Sequence, residues 1–305
     1  MSFGAKRASP LVVLKTTLYE FVDDDCPAMA AALAYYTLFS LPPLLMIVAA
    51  TAGAVFGPES AANALRQQAG ELIGEGASRQ VQNMLADASG RAGGAGWQAL
   101  IGGAALLFSA TTAFAQLQTS LNRTWELQPD PNSAGLRLFL MKRLLSFALI
   151  LGLSALLLVS LTITAAIGAA GDSLEHLLGG AISVPVLAIV NNAASLLITT
   201  SLFAAMFKYL PDARLAWRTV MLGALLTALL FIAGKSLLAW YFAATDVAGA
   251  YGAAGSVILI LVWIYYSSMI VLLGAEFTHA WAITHGQTVV PRPGAVHLGA
   301  HARKA

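Results

Sequence analysis

Charge is what this sequence has least of: 17 lysines and arginines and 15 aspartates and glutamates make up 10% of its 305 residues. A soluble domain carries about 25% charged residues and needs a polar surface around its core, so this chain reads as a membrane protein. The single cysteine, Cys26, excludes an intramolecular disulfide and a cysteine-rich metal site. Four of the five histidines (His279, His285, His297, His301) fall in the last 27 residues, and none forms an HExxH or a His/Cys pattern with metal-ligand spacing. A GxSxG elbow and a P-loop are also missing. The net charge of +2 makes no case for nucleic acid. The sequence therefore argues against an enzyme and offers no catalytic, cofactor or metal residues.

What it has is apolar length. Hydrophobic residues make up 58% of the chain and the mean hydropathy is +0.74. A helix needs about 20 mostly apolar residues to cross the hydrocarbon core, and six stretches qualify, near 28–56, 97–121, 144–170, 181–207, 217–244 and 254–283. Such runs are too long and continuous for barrel strands. The expected fold is all-α: a polytopic bundle of six transmembrane helices forming one domain, 28–283. The first 27 residues mix basic and acidic side chains, and the apolar run after them is too long for a signal-peptide core, so the first span is expected to be retained.

Orientation follows from the basic residues. Lys6, Arg7 and Lys15 precede the first span; Arg123, Arg137, Lys142 and Arg143 follow the second; Lys208, Arg214 and Arg218 follow the fourth; Arg292, Arg303 and Lys304 end the chain. The alternate connections hold only Arg66, Arg79 and Arg91. Basic residues stay on the cytoplasmic side, which predicts a multi-pass protein of the bacterial inner membrane with segment 1–27 and tail 284–305 both cytoplasmic, the tail disordered. In the outer loop 57–96, Leu65, Ala69, Leu72 and Ile73 repeat at helical spacing, as do Val81, Met84, Leu85 and Ala88, predicting two short amphipathic helices. They either form a packed loop domain or cap an outward-facing cavity. "SAGLRLFLMKRLL" (133–145) reads as a basic loop anchoring the topology, or as an interfacial helix.

Asp25 is placed to N-cap the first span, with Pro27 in its first turn, and solvated charge accounts for the rest of the Asp23, Asp24, Asp25 run. Further along, Pro42 and Pro43 deprive the carbonyls of Leu38 and Phe39 of their N–H partners, which predicts a broken helix. In lipid those carbonyls need protein or water, and Tyr35, Tyr36, Thr37 and Ser40 are the polar side chains nearby. Either neighbours pack the kink or the break lines a polar cavity, as in transporters. Lys235 and Glu276 are the ionisable residues set inside apolar runs. The turn near 249 leaves them about 13 residues, roughly 20 Å, out of step, so a direct pair is not expected. Lys235 belongs to the outer half and Glu276 near the inner end, where Arg143 is a candidate partner. Gln116 and Gln118, and Asn191 and Asn192, are placed for hydrogen bonds between helices.

With "AAALAYYTLFSLPPLL" (30–45) the chain resembles the YihY/BrkB family of bacterial inner-membrane proteins. The resemblance rests on Ala32, Leu33, Tyr35, Tyr36, Ser40 and Pro43, on Asn122 and Trp125 after the second span, and on a late block. That block is Tyr251, Gly252, Gly255, Ser256, Leu261, Trp263, Tyr265, Leu272, Gly274, Ala275 and Glu276. It covers about residues 15–285 and implies some six spans with cytoplasmic termini. Members have carried a ribonuclease label, and others are called virulence factors linked to serum resistance. Phosphodiester cleavage usually needs a metal cluster or paired acid and base residues, which the short cytoplasmic loops do not supply.

The resulting expectation is transport or export of a lipid-like or amphipathic solute. The cavity would be bordered by the first, fifth and sixth spans, with Tyr35, Tyr36, Ser40, Pro42, Pro43, Lys235, Tyr251 and Glu276 as its candidate residues. Membrane lipids and a small-molecule or lipid substrate are the expected partners. The alternative is a non-transporting scaffold or envelope-assembly factor whose outer loop recruits partners.

Overall fold

A computed structural model describes residues 9–57, 97–130, 180–245 and 255–298, with a few isolated positions between them. The third span, the outer-loop helices, the 133–145 segment and Tyr251 fall outside these residues but for isolated positions. The described elements, in order, are α1 (Pro10–Asp23), α2 (Cys26–Phe56), α3 (Trp97–Thr124), β1 (Leu127–Pro129), α4 (Gly180–Tyr209), β2 (Ala213–Arg214), α5 (Trp217–Ala244), α6 (Gly255–Thr284), β3 (Val290–Pro291) and β4 (Ala295–His297). Helices α2 to α6 match five of the expected runs to within three residues.

Two of these helices, over Trp217–Phe242 and Val257–Thr284, are long and apolar enough to cross a membrane. Only 33% and 28% of their most apolar stretches are buried inside the protein, whereas the core helix of a soluble fold is mostly covered. The outer face of α5 exposes Met221, Leu222, Leu225, Leu229 and Leu237, with Trp217 near one end and Trp240 near the other. Twenty-three residues of helix separate the two tryptophans, about 35 Å, which suits rings anchored at two headgroup layers.

α5 and α6 approach closely because each offers a glycine to the other's threonine. A Cβ on Gly223 would overlap Thr278 Oγ1, and one on Gly274 would overlap Thr227 Oγ1. Two turns further out, Tyr266 lies over Gly234. Both threonines are fully buried, and each donates to the carbonyl of the glycine on its own helix, at 2.7 Å (Thr227 to Gly223) and 2.6 Å (Thr278 to Gly274). Small residues that admit a neighbouring backbone are how helices associate in lipid, where burying apolar surface against another helix gains little.

At one end of the bundle the chain closes on itself. α6 stops in a Schellman motif: Gly286, at φ +69°, donates to Ile283, and Gln287 donates to Ala282. The sharp stop turns the chain back, so that β3 pairs antiparallel with β2 and β4 with β1. The expectation of a disordered tail from 284 is thus corrected through Leu298, because backbone pairing with the α3 and α4 exits holds that stretch. Asp212 ties the same end together. Its N–H donates to Asn122 Oδ1 at 2.8 Å, and its carboxylate accepts from Asn122 Nδ2 at 2.9 Å and Gln118 Nε2 at 3.2 Å. Arg292 N donates to the Asp212 carbonyl, and its guanidinium reaches the carbonyls of Lys208 and Tyr209.

Asp25 occupies the N-cap position of α2 but makes no side-chain cap bond, a second correction. It adopts the left-handed region at φ 54°, joining α1 directly to α2, and its carboxylate lies 3.8 Å from Arg123. Pro27, in the first turn of α2, has no N–H to cap. α1 itself packs along α6, burying Val13 and Thr17 while exposing Leu11, Leu14, Leu18 and Val22.

Two outcomes are expected of purified protein. Gly274→Ala forces a methyl onto Thr227 and should destabilise by about 1–3 kcal/mol, with Thr227→Ala in the same chain restoring part of the loss. A Gly274→Ala protein that melts with the wild type would sink the close-crossing account. Asn122→Ala strips the Asp212 N–H of its partner and should cost about 1–3 kcal/mol. Limited proteolysis should then cut first between 285 and 298; unchanged cleavage there would mean that the lock does not hold the tail.

Candidate functional site

α2, α3 and α6 border a partly open cavity of about 320 Å³. Its wall is mostly apolar, with Leu33 and Leu41 from α2, Phe114 and Leu117 from α3, and Trp263 and Val271 from α6. Four hydroxyls interrupt that wall: Thr37, Ser40, Ser267 and Ser268. Ser40 is 2% exposed and donates to the Tyr36 carbonyl of its own helix at 2.7 Å, which leaves its lone pairs for a guest. Ser267 Oγ is buried without a hydrogen-bond partner among the described residues. A mostly apolar hollow with a few convergent hydroxyls suits a molecule with a hydrocarbon body and a small polar part.

Of the residues singled out from sequence whose side chains the structure describes, Ser40 lines this cavity and Tyr35, Tyr36, Lys235 and Glu276 do not. Tyr35 and Phe39 turn outward, at 58% and 63% exposure, with their rings 4.8 Å apart, and Tyr36 is also exposed. Pro42 and Pro43 lie within α2, which runs unbroken from Cys26 to Phe56. The helix is therefore not interrupted there, although each proline still withholds an N–H from the turn before it. The wall expected from the fifth span comes from α3 instead. α5 lies against α6 at a different place, and Lys235 sits half-buried on it, next to Gly234 and thus level with Tyr266. Glu276 is about ten residues, roughly 15 Å, from that level, and no Lys235–Glu276 pair occurs.

Glu276 enters a different set of side chains at the closed end. It is fully buried, and its Oε1 accepts from Cys26 Sγ at 3.5 Å. Asp24 lies against it, half-buried rather than solvated as the acidic triplet suggested, and burial raises the Asp24 carboxyl above its ordinary 3.8. One turn along α6, His279 Nδ1 is 3.4 Å from Glu20 Oε2 of α1, with the Trp125 ring packed on the imidazole at a centroid distance of 5.3 Å. Sequence reading missed this grouping. Its one local signal was Glu276 and His279 three apart on a helix, but Glu20, Asp24 and Cys26 lie some 250 residues away.

These features define an α-helical membrane protein with a hydroxyl-bearing cavity between three of its helices. Comparison with known sequences agrees. A family model described as "Virulence factor BrkB" matches residues 17–295, and the chain belongs to that family. Relatives named "UPF0761 membrane protein" include one from Alkalilimnicola ehrlichii, 32% identical over 268 residues, covering 86% of this chain and 56% of the relative. Another, from Methylibium petroleiphilum, is 28% identical over 288 residues, 93% of this chain and 65% of its own. A third, from Alcanivorax borkumensis, is 28% identical over 276 residues, 90% and 61%. The chain thus spans 56% to 65% of the length of these relatives. Neither the family description nor these names gives an enzymatic activity. No solved structure matches the chain.

Proposed function

We propose that this chain is a six-span protein of the bacterial inner membrane that moves a lipid-like or amphipathic solute by way of the cavity between α2, α3 and α6. The observation that carries the reading is the cavity itself: about 320 Å³ of mostly apolar space with four hydroxyls. The basic residues put the closed end, with segment 1–27 and the stretch after 284, in the cytoplasm. By the same rule the outer loop 57–96, whose apolar residues repeat at helical spacing, falls on the opposite side of the membrane. Without a P-loop, movement draws on an ion gradient or a partner. In the alternative, a non-transporting envelope scaffold, the cavity is a packing defect and the outer loop does the work.

Thiol accessibility separates the two. In a Cys26→Ser background, Ser40→Cys should react with a membrane-impermeant thiol reagent, while Phe39→Cys, on the outward face of α2, should stay inert in lipid. Adding a single-chain zwitterionic detergent should protect Ser40→Cys. Equal inertness at both positions would remove the solute pathway and leave the scaffold.

A further inference from the structure

We infer that Glu20, Glu276 and His279 form a binding site for a divalent transition-metal ion that pins α1 to α6 at the closed end. A carboxylate oxygen from each glutamate and a ring nitrogen of His279 lie within 4.8 Å of one another. Ligands about 2.1 Å from one ion sit roughly 3 to 4 Å apart, so binding needs the widest pair to close by only about 1 Å. The His279 Nδ1 to Glu20 Oε2 distance of 3.4 Å is already in that range.

An independent observation points to a ligand. Glu276 is 0% exposed; Cys26 occupies its Oε1, while its Oε2 has no hydrogen-bond partner among the described residues. Glu20 Oε2 is likewise buried without a hydrogen bond. A carboxyl enclosed by protein beside two further carboxyls, Glu20 and Asp24, must either hold a proton or meet compensating positive charge, and an ion at this position would supply that charge. The Arg123 guanidinium engages Asp25 at 3.8 Å, with its side chain 48% exposed, at the rim of the group. An ion at the centre would draw on all three ligands at once.

The donor set narrows the ion. Two carboxylates and an imidazole suit zinc, manganese or iron better than calcium or magnesium, which favour all-oxygen shells. Glu276 and His279 present their groups from one helix face at the i, i+3 spacing by which helical bundles hold such ions. The Cys26 thiol beside Glu276 is within reach to join the shell of a softer ion. This assignment does not depend on the transport reading.

The test uses full-length protein in detergent, freed of any affinity tag, stripped with chelator, and titrated separately with Zn²⁺, Mn²⁺ and Co²⁺. One of these should bind at about one equivalent by calorimetry and by metal analysis after dialysis, and should raise the melting temperature. Glu276→Gln, His279→Gln and Glu20→Gln should each weaken binding by more than the roughly tenfold that even outer partners of a metal site contribute. His285→Gln, whose ring hydrogen-bonds the Trp281 carbonyl instead, should leave binding unchanged. Should the Glu276 variant fail to fold, Glu20→Gln on the peripheral helix and the visible spectrum of Co²⁺ in the wild type still decide. Wild-type protein that retains none of the three ions overturns the assignment and leaves an imidazole–carboxylate contact. Retention by Glu20→Gln and His279→Gln at wild-type affinity does the same.

Discussion

The reciprocal fit of two glycines and two threonines between α5 and α6 sets the register on which the other described packing depends. Apolar surface alone cannot hold two helices together in lipid, since acyl chains solvate it equally well; close approach and shape must do so. Gly223 against Thr278 and Thr227 against Gly274 provide the approach, and the hydroxyls are satisfied within their own helices, so no donor is stranded in the seam. A one-residue slip would drive threonine into backbone. With the register fixed, α6 presents separate faces to α1, α2 and α3, and Lys235 and Glu276 fall at different depths.

The closed end is built by another kind of force. Strands of two or three residues cannot stand alone, and here each pairs the tail with the exit of a helix. Asp212 serves as the common partner, taking two side chains from α3 and the backbone of Arg292. Lys208 adds a bond to the Leu215 carbonyl and lies over the Trp217 ring at 5.2 Å. Polar groups are spent where water and headgroups are near, and small or apolar ones further along the helices, as the cost of unsatisfied groups in lipid requires.

Helix positions were legible in the sequence because membrane thickness imposes its own ruler on apolar runs. The family was legible too, from short blocks of aromatic, hydroxyl and glycine residues. The site was much less so. Periodicity ranks residues on one helix but does not say which neighbour covers which face, so Tyr36 and Ser40, one turn apart, were grouped although only Ser40 faces the cavity. The two prolines signalled a break, yet α2 continues through them as one helix. The tail looked disordered because its strands are too short to carry a pattern, and Glu276 found its neighbours through a fold that joins α1 to α6.

Cavity and carboxylate group share walls, and that adjacency constrains what the hollow can hold. Leu33 is seven residues from Cys26 along α2, and Val271 five from Glu276 along α6, so the two features lie about 8–10 Å apart. The described lining residues carry no charged side chain, and among them a fully ionic solute would lose its hydration without a counter-charge. A guest with a neutral or internally balanced head group fits those walls. When Glu20, Asp24 and Glu276 are ionised, their field would reach the hollow through low-dielectric protein and favour a guest that turns a cationic portion toward the closed end. On the two proposals made above, a cation held among those carboxyls would weaken that preference, so occupancy of the ion site and orientation of the guest would be electrostatically linked across a single helix pair.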